Sequence, residues 1–104
     1  MKRGEVWWAE LPAPAGRRPV LLLSRNRAIE VREAVTVAVI TRTVRRIPTE
    51  VPIGTEDGMP RRCIVNLDDI HTVPKTFLRS PITRLSMLKM DEVALSLKFA
   101  LGVE

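Results

Sequence analysis

The chain has 104 residues, room for one domain, and its 45% hydrophobic and 28% charged content gives it a core to bury and argues against disorder. Lys and Arg number 17 against 12 Asp and Glu, a net charge of +5 that favours a polyanionic partner. A lone cysteine, Cys63, excludes an internal disulfide and suits a reducing cytoplasm, and neither a signal segment nor a membrane span of about 20 apolar residues is expected.

In chain order, Glu5 to Leu11 reads as a first strand, because Val6, Trp7 and Trp8 favour extended backbone and Pro12 ends the run. Pro12-Ala13-Pro14-Ala15-Gly16 is a short, stiff connection. Arg17 to Ser24 carries a continuous apolar run, the pattern of a strand buried on both faces, with Pro19 tolerable near its start. Arg25 to Glu33 is polar and weakly helical, one turn with Ser24 as its cap. Ala34 to Val44, rich in Val, Ile and Thr, is a strand, and Thr49 to Ile53 is a shorter one ending at Gly54. Glu56-Asp57-Gly58 is a turn, and Arg62 to Asp68 with Ile70 to Val73 makes two strands or one bent strand. Pro74 to Arg84 is expected to be irregular, since Pro81 breaks any helix.

Ser86 is expected to cap a helix over Met87 to Leu101, closed by Gly102 just past its end. On a helical wheel Met90, Val93, Ala94, Leu97, Ala100 and Leu101 share one arc, the core face. Leu88, Leu95 and Phe99 form a second stripe beside Asp91 and Glu92, which fits a dimer or partner interface, although scattered exposed apolar residues are ordinary. The architecture is a β-rich α+β fold, a single domain over residues 1–104: a small β-barrel or tightly curled sheet with a C-terminal helix.

The positive excess lies in the first half. Residues 1–50 hold ten Lys/Arg and five acids, whereas residues 51–104 hold seven of each. Arginine predominates, and its planar fork suits bidentate contact with phosphate. Nucleic acid is favoured over membrane, because no long basic amphipathic helix is visible.

The chemistry narrows by subtraction. One cysteine and one histidine give no metal-ligand cluster, and the adjacent acids Asp68-Asp69 and Glu56-Asp57 would point apart on a strand, so no metal is expected. No cofactor fingerprint, phosphate loop or nucleophile elbow is present. His71 alone cannot run a two-histidine ribonuclease mechanism, and Cys63 reads as a buried structural thiol. Arg, Thr and Ser remain, and that set can still cleave RNA, because the substrate brings its own nucleophile, the 2′-hydroxyl. A guanidinium would stabilise the added charge of the transition state, and a threonine hydroxyl would help hold the phosphate.

These residues stand in blocks that resemble the PemK/MazF toxins, the mRNA interferases of type II toxin–antitoxin modules. Lys2-Arg3-Gly4-Glu5-Val6-Trp7 opens the match, Gly16-Arg17-Arg18-Pro19-Val20-Leu21-Leu22-Leu23-Ser24 is its most specific block, and Val37-Ala38-Val39-Ile40-Thr41 follows. Cys63 through Val73 and Ile82-Thr83-Arg84-Leu85-Ser86 before the final helix complete it, in the family's order over nearly the whole chain. The resemblance implies an SH3-like barrel that forms a homodimer and a metal-independent endoribonuclease acting on single-stranded RNA (mRNA) at short sequences. It implies that Arg18 and Thr41 are the catalytic pair, and that a cognate antitoxin with an acidic tail blocks the RNA groove. Arg17, Arg42, Arg45, Arg46 and Arg62 would guide the RNA backbone, and Trp8 would stack on a base. Two departures stand out: the loop before the arginine block is reduced to residues 12–16, and Cys63 replaces a small hydroxyl residue frequent there. A non-catalytic member of the same fold is the alternative, either a gyrase poison or a nucleic-acid-binding protein of translation or chromosome structure. The Arg18/Thr41 pair argues against it, since a pure binder has no need of it.

Overall fold

Six strands form one antiparallel sheet in a computed structural model that describes residues 1–104. They are β1 (Glu5–Glu10), β2 (Arg17–Leu22), β3 (Ala34–Thr41), β4 (Glu50–Ile53), β5 (Cys63–Pro74) and β6 (Leu78–Arg84), with helices α1 (Asn26–Val31) and α2 (Met87–Leu101). Their order across the sheet is β4-β5-β3-β2-β1-β6. The sheet curls as a half-barrel with α2 against it, and β4 and β6 remain as edges.

The apolar run of β2 is explained by burial on two sides. Leu21 packs with Val6, Ala38, Ile40, Val65 and Val93 of α2. Its neighbour Leu22 packs with Ala9, Val35, Val37 and Ile29 of α1 on the opposite face. Successive strand residues point to opposite faces, so a strand covered twice must be apolar throughout. Pro19 is accommodated because the ladder to β3 begins only at Val20, paired with Val39.

The final helix follows its sequence signals. Ser86 Oγ accepts from Lys89 N at 3.1 Å, and Gly102 closes the helix with φ 67° in the left-handed region. Val93 is fully buried, while Met90, Leu97 and Ala100 pack on the core beside it. Leu101, expected on the core face, is exposed instead, because the helix runs one residue past the core cluster. Leu88, Leu95 and Phe99 are 79%, 69% and 63% exposed, leaving a continuous apolar stripe uncovered on one chain.

Other expectations are corrected by local hydrogen bonding. Ser24 does not cap α1: its Oγ accepts from Thr36 N at 2.8 Å, tying two strands together, and the cap position falls to Arg25 without a side-chain bond. β3 stops at Thr41 rather than Val44, because Thr43 N turns back to Thr41 Oγ1 at 3.2 Å. Arg45 N and Arg46 N then donate to Glu50 Oε1, which folds the segment away from the sheet. Residues 78–84 are not irregular but form edge strand β6, paired with β1. Pro81 forbids a helix, yet an edge strand with register shifts tolerates it, and it sits opposite Trp7. β5 is one bent strand: pairing steps from Val39 with Asn66 to Ala38 with Ile70, so Leu67, Asp68 and Asp69 bulge out.

Candidate functional site

Four chain segments meet at one end of the curled sheet. β1 brings Trp8, the start of β2 brings Arg17, Arg18 and Pro19, and the end of β3 brings Ile40, Thr41 and Arg42. The loop into β5 adds Met59, Pro60, Arg61 and Cys63. Together they line a concavity of about 470 Å³. Four guanidinium groups and no carboxylate line it, so an anionic ligand meets no opposing charge there.

Arg18 and Thr41 line the same concavity. The β2–β3 ladder runs from Leu22 with Val37 to Val20 with Val39, and Arg18 and Thr41 lie two residues beyond its end on their own strands. The Arg18 guanidinium is anchored at one point, where Nε donates to the Ala15 carbonyl at 3.1 Å. Its two Nη groups have no protein partner. Thr41 is half-buried, and its Oγ1 accepts from Thr43 N. One donor group is thus oriented by the connection after β1, the other by the end of a core strand.

The other candidates divide. Arg17 stacks over the Trp8 ring, with its guanidinium carbon 4.8 Å from the centroid. One face of Trp8 is therefore occupied by a cation. Arg42 lines the concavity beside Thr41 and is exposed. Arg45 and Arg46 lie outside it, on the segment tied to Glu50, and Arg62 faces a separate hollow shared with Glu56. Arg61, which sequence reasoning passed over, is in the concavity. No strand alternation gave a signal for it, because residues 61 and 62 lie in the bend before β5 and Pro60 beside Arg61 lines the site as well.

Cys63 is 4% exposed, and burial, with the negative charge of Asp57 adding to it, pushes its thiol above the ordinary range. It is a protonated wall of the site rather than a nucleophile. His71 shares a 2.5 Å hydrogen bond with Asp69 and pairs with Val37. Val37 is four residues, roughly 13 Å, along β3 from Thr41, so His71 does not belong to this concavity.

Comparison with known proteins follows the same geometry. The family described as the PemK-like, MazF-like toxin of type II toxin–antitoxin systems matches residues 2–101. The chain is 41% identical to the probable endoribonuclease MazF2 of Mycobacterium tuberculosis over 103 residues, spanning 98% of this chain and 99% of that protein. Among solved structures, the Mycobacterium tuberculosis toxin MazF-mt6 superposes with a TM-score of 0.88 at 31% identity, covering 96% of this chain and 98% of that one. A mycobacterial endoribonuclease in complex with its cognate antitoxin superposes at 0.89 with 29% identity, covering 100% of this chain and 97% of that one.

Proposed function

Because the chain belongs to the PemK-like, MazF-like toxin family of type II toxin–antitoxin systems, we propose that it is a metal-independent endoribonuclease that cuts single-stranded RNA at short sequences. The observation that carries this reading is that Arg18 and Thr41 both line one concavity that holds guanidinium groups and no acid. The 2′-hydroxyl of the substrate attacks the adjacent phosphorus, the bond to the 5′-oxygen of the next nucleotide breaks, and that oxygen leaves and takes a proton. The 2′-hydroxyl gives up its proton, and the upstream fragment ends in a 2′,3′-cyclic phosphate. Arg18 stabilises the charge that accumulates on the non-bridging oxygens, and Thr41 fixes the phosphate for in-line attack. Arg17 and Arg42 guide the backbone, and Trp8 offers its remaining face to a base.

Incubation of the purified protein with a mixed single-stranded RNA in excess EDTA tests this. The expected products are fragments with 5′-hydroxyl and 2′,3′-cyclic phosphate ends, cut at a recurring short sequence. Intact RNA, or cutting that returns only with a divalent cation, would overturn the reading.

The partner is a cognate antitoxin, as in the solved mycobacterial complex, and we infer that its acidic tail competes with RNA for the same arginines. The stripe Leu88, Leu95 and Phe99 is the surface for a second subunit, since it leaves large apolar side chains in water on one chain. Sedimentation of the wild type is expected to give twice the chain mass, and Leu95→Asp with Phe99→Asp a single chain still folded by circular dichroism. A monomeric wild type would remove the dimer.

A further inference from the structure

The ends of β1, β2, β3 and β5 are neighbours in the sheet, and the candidate site runs across all four. Adjacent strands lie about 4.8 Å apart, and a stacked nucleotide rises about 3.4 Å, so one strand spacing is on the order of one nucleotide. Arg18 and Thr41 occupy the two middle positions, with Trp8 on the β1 flank. Arg61 occupies the β5 flank, one strand beyond Thr41.

We propose that Arg61 holds the RNA phosphate adjacent to the scissile one, on the β5 side of the site. This rests on the ribonuclease reading and adds a contact to it. Three observations support it. Arg61 faces the concavity while its neighbour Arg62 turns to the hollow that contains Glu56, so only Arg61 presents its charge with no acid beside it. No hydrogen bond or ion pair within the chain engages the Arg61 guanidinium, which leaves its fork free for a phosphate. Its backbone is held between Met59 and Cys63, 5% and 4% exposed, so the exposed side chain projects from a fixed base.

The test uses an RNA oligonucleotide carrying a 2′-deoxy sugar at the cleaved position, which binds but cannot react, and fluorescence anisotropy as the readout. Arg61→Ala is expected to weaken binding roughly tenfold and to lower the salt slope by about 0.7, the share of one phosphate contact. Arg62→Ala is expected to change neither. A neutral methylphosphonate is then placed, one position at a time, on each side of the scissile phosphate. At one adjacent position it should weaken the wild type by the same factor and leave Arg61→Ala no weaker than before. Equal affinity and salt slope for Arg61→Ala and the wild type would overturn the proposal. So would additive losses at every phosphate, or a lost maximal rate on cleavable RNA with unchanged binding, which would move Arg61 to the reacting phosphate. Wild-type protein that fails to cut all-ribose RNA would instead overturn the ribonuclease reading, so the two failures are distinct.

Discussion

Arg18→Ala is expected to lower the rate of RNA cleavage by roughly 10²–10³-fold, the usual cost of removing one donor aimed at developing charge. The loss should fall on the chemical step more than on binding. Three other arginines still line the concavity and would hold the backbone, whereas Arg18 is the one proposed to act on the reacting phosphate. The fold should survive, because Arg18 is exposed at the start of its strand and its side chain makes one hydrogen bond, to the Ala15 carbonyl. Arg18→Lys keeps the charge and loses the fork, so it should recover only part of the rate. Thr41→Ala should cost less, since a neutral hydroxyl donor is weaker than a cationic one. The double variant should fall short of the product of the two single losses, because both side chains act on one phosphate. Single-turnover cleavage with saturating protein separates these effects from affinity. Wild-type rates in Arg18→Ala and Thr41→Ala would strip both residues of their roles.

The fold was more legible than the boundaries of the site. Strands β1 to β5 and helix α2 announce themselves because burial and alternation write apolar residues at fixed spacing, and the two-sided burial of β2 is visible in its unbroken apolar run. Strand β6 was hidden because Leu78 to Arg84 is an exposed edge with a proline, and its identity comes from pairing with β1 rather than from its own pattern. The role of Ser24 was hidden for the same kind of reason: a hydroxyl next to a helix can serve either the helix or a neighbouring strand, and here it serves Thr36. Arg18 and Thr41 could be singled out from a resemblance, and both line the concavity. The arginines could not be sorted by charge alone. Counting charge by halves drew attention to residues 1–50, yet Arg61 from the balanced half enters the concavity while Arg45 and Arg46 stay outside it. Charge is additive along a chain, but a site is assembled by folding, and it is the bend before β5 that turns Arg61 into the concavity and the segment tied to Glu50 that keeps Arg45 and Arg46 out.

The turn that delivers Arg61 yields the largest expected loss of stability. Gly58 has φ +85°, in the left-handed region, and a Cβ built on it would lie 2.2 Å from Thr83 Oγ1 and 2.9 Å from Thr83 Cβ. Thr83 cannot simply swing away, because its hydroxyl donates to the Asp57 carbonyl at 2.9 Å and its backbone pairs with Val6 in β1. Gly58→Ala therefore combines about 1–2 kcal/mol of left-handed strain with about 1 kcal/mol for the lost hydrogen bond and the displacement of an edge strand. A total near 3 kcal/mol corresponds to a fall in Tm on the order of 10–20 °C for a domain of this size. Gly102→Ala provides the contrast: φ is +67° there, but nothing lies within 4 Å of the added Cβ, so only the conformational cost applies. In the Thr83→Ala background the colliding hydroxyl is gone while the Cβ of residue 83 stays 2.9 Å away, so Gly58→Ala should cost less than in the wild type and still more than Gly102→Ala does there. Thermal unfolding of the four variants reads this directly, and a wild-type Tm for Gly58→Ala would mean that the turn does not approach Thr83 as described. The same variant should also bind RNA more weakly at temperatures where it remains folded, because Met59 and Arg61 follow Gly58 directly into the wall of the site, and a turn pushed off Thr83 carries them with it.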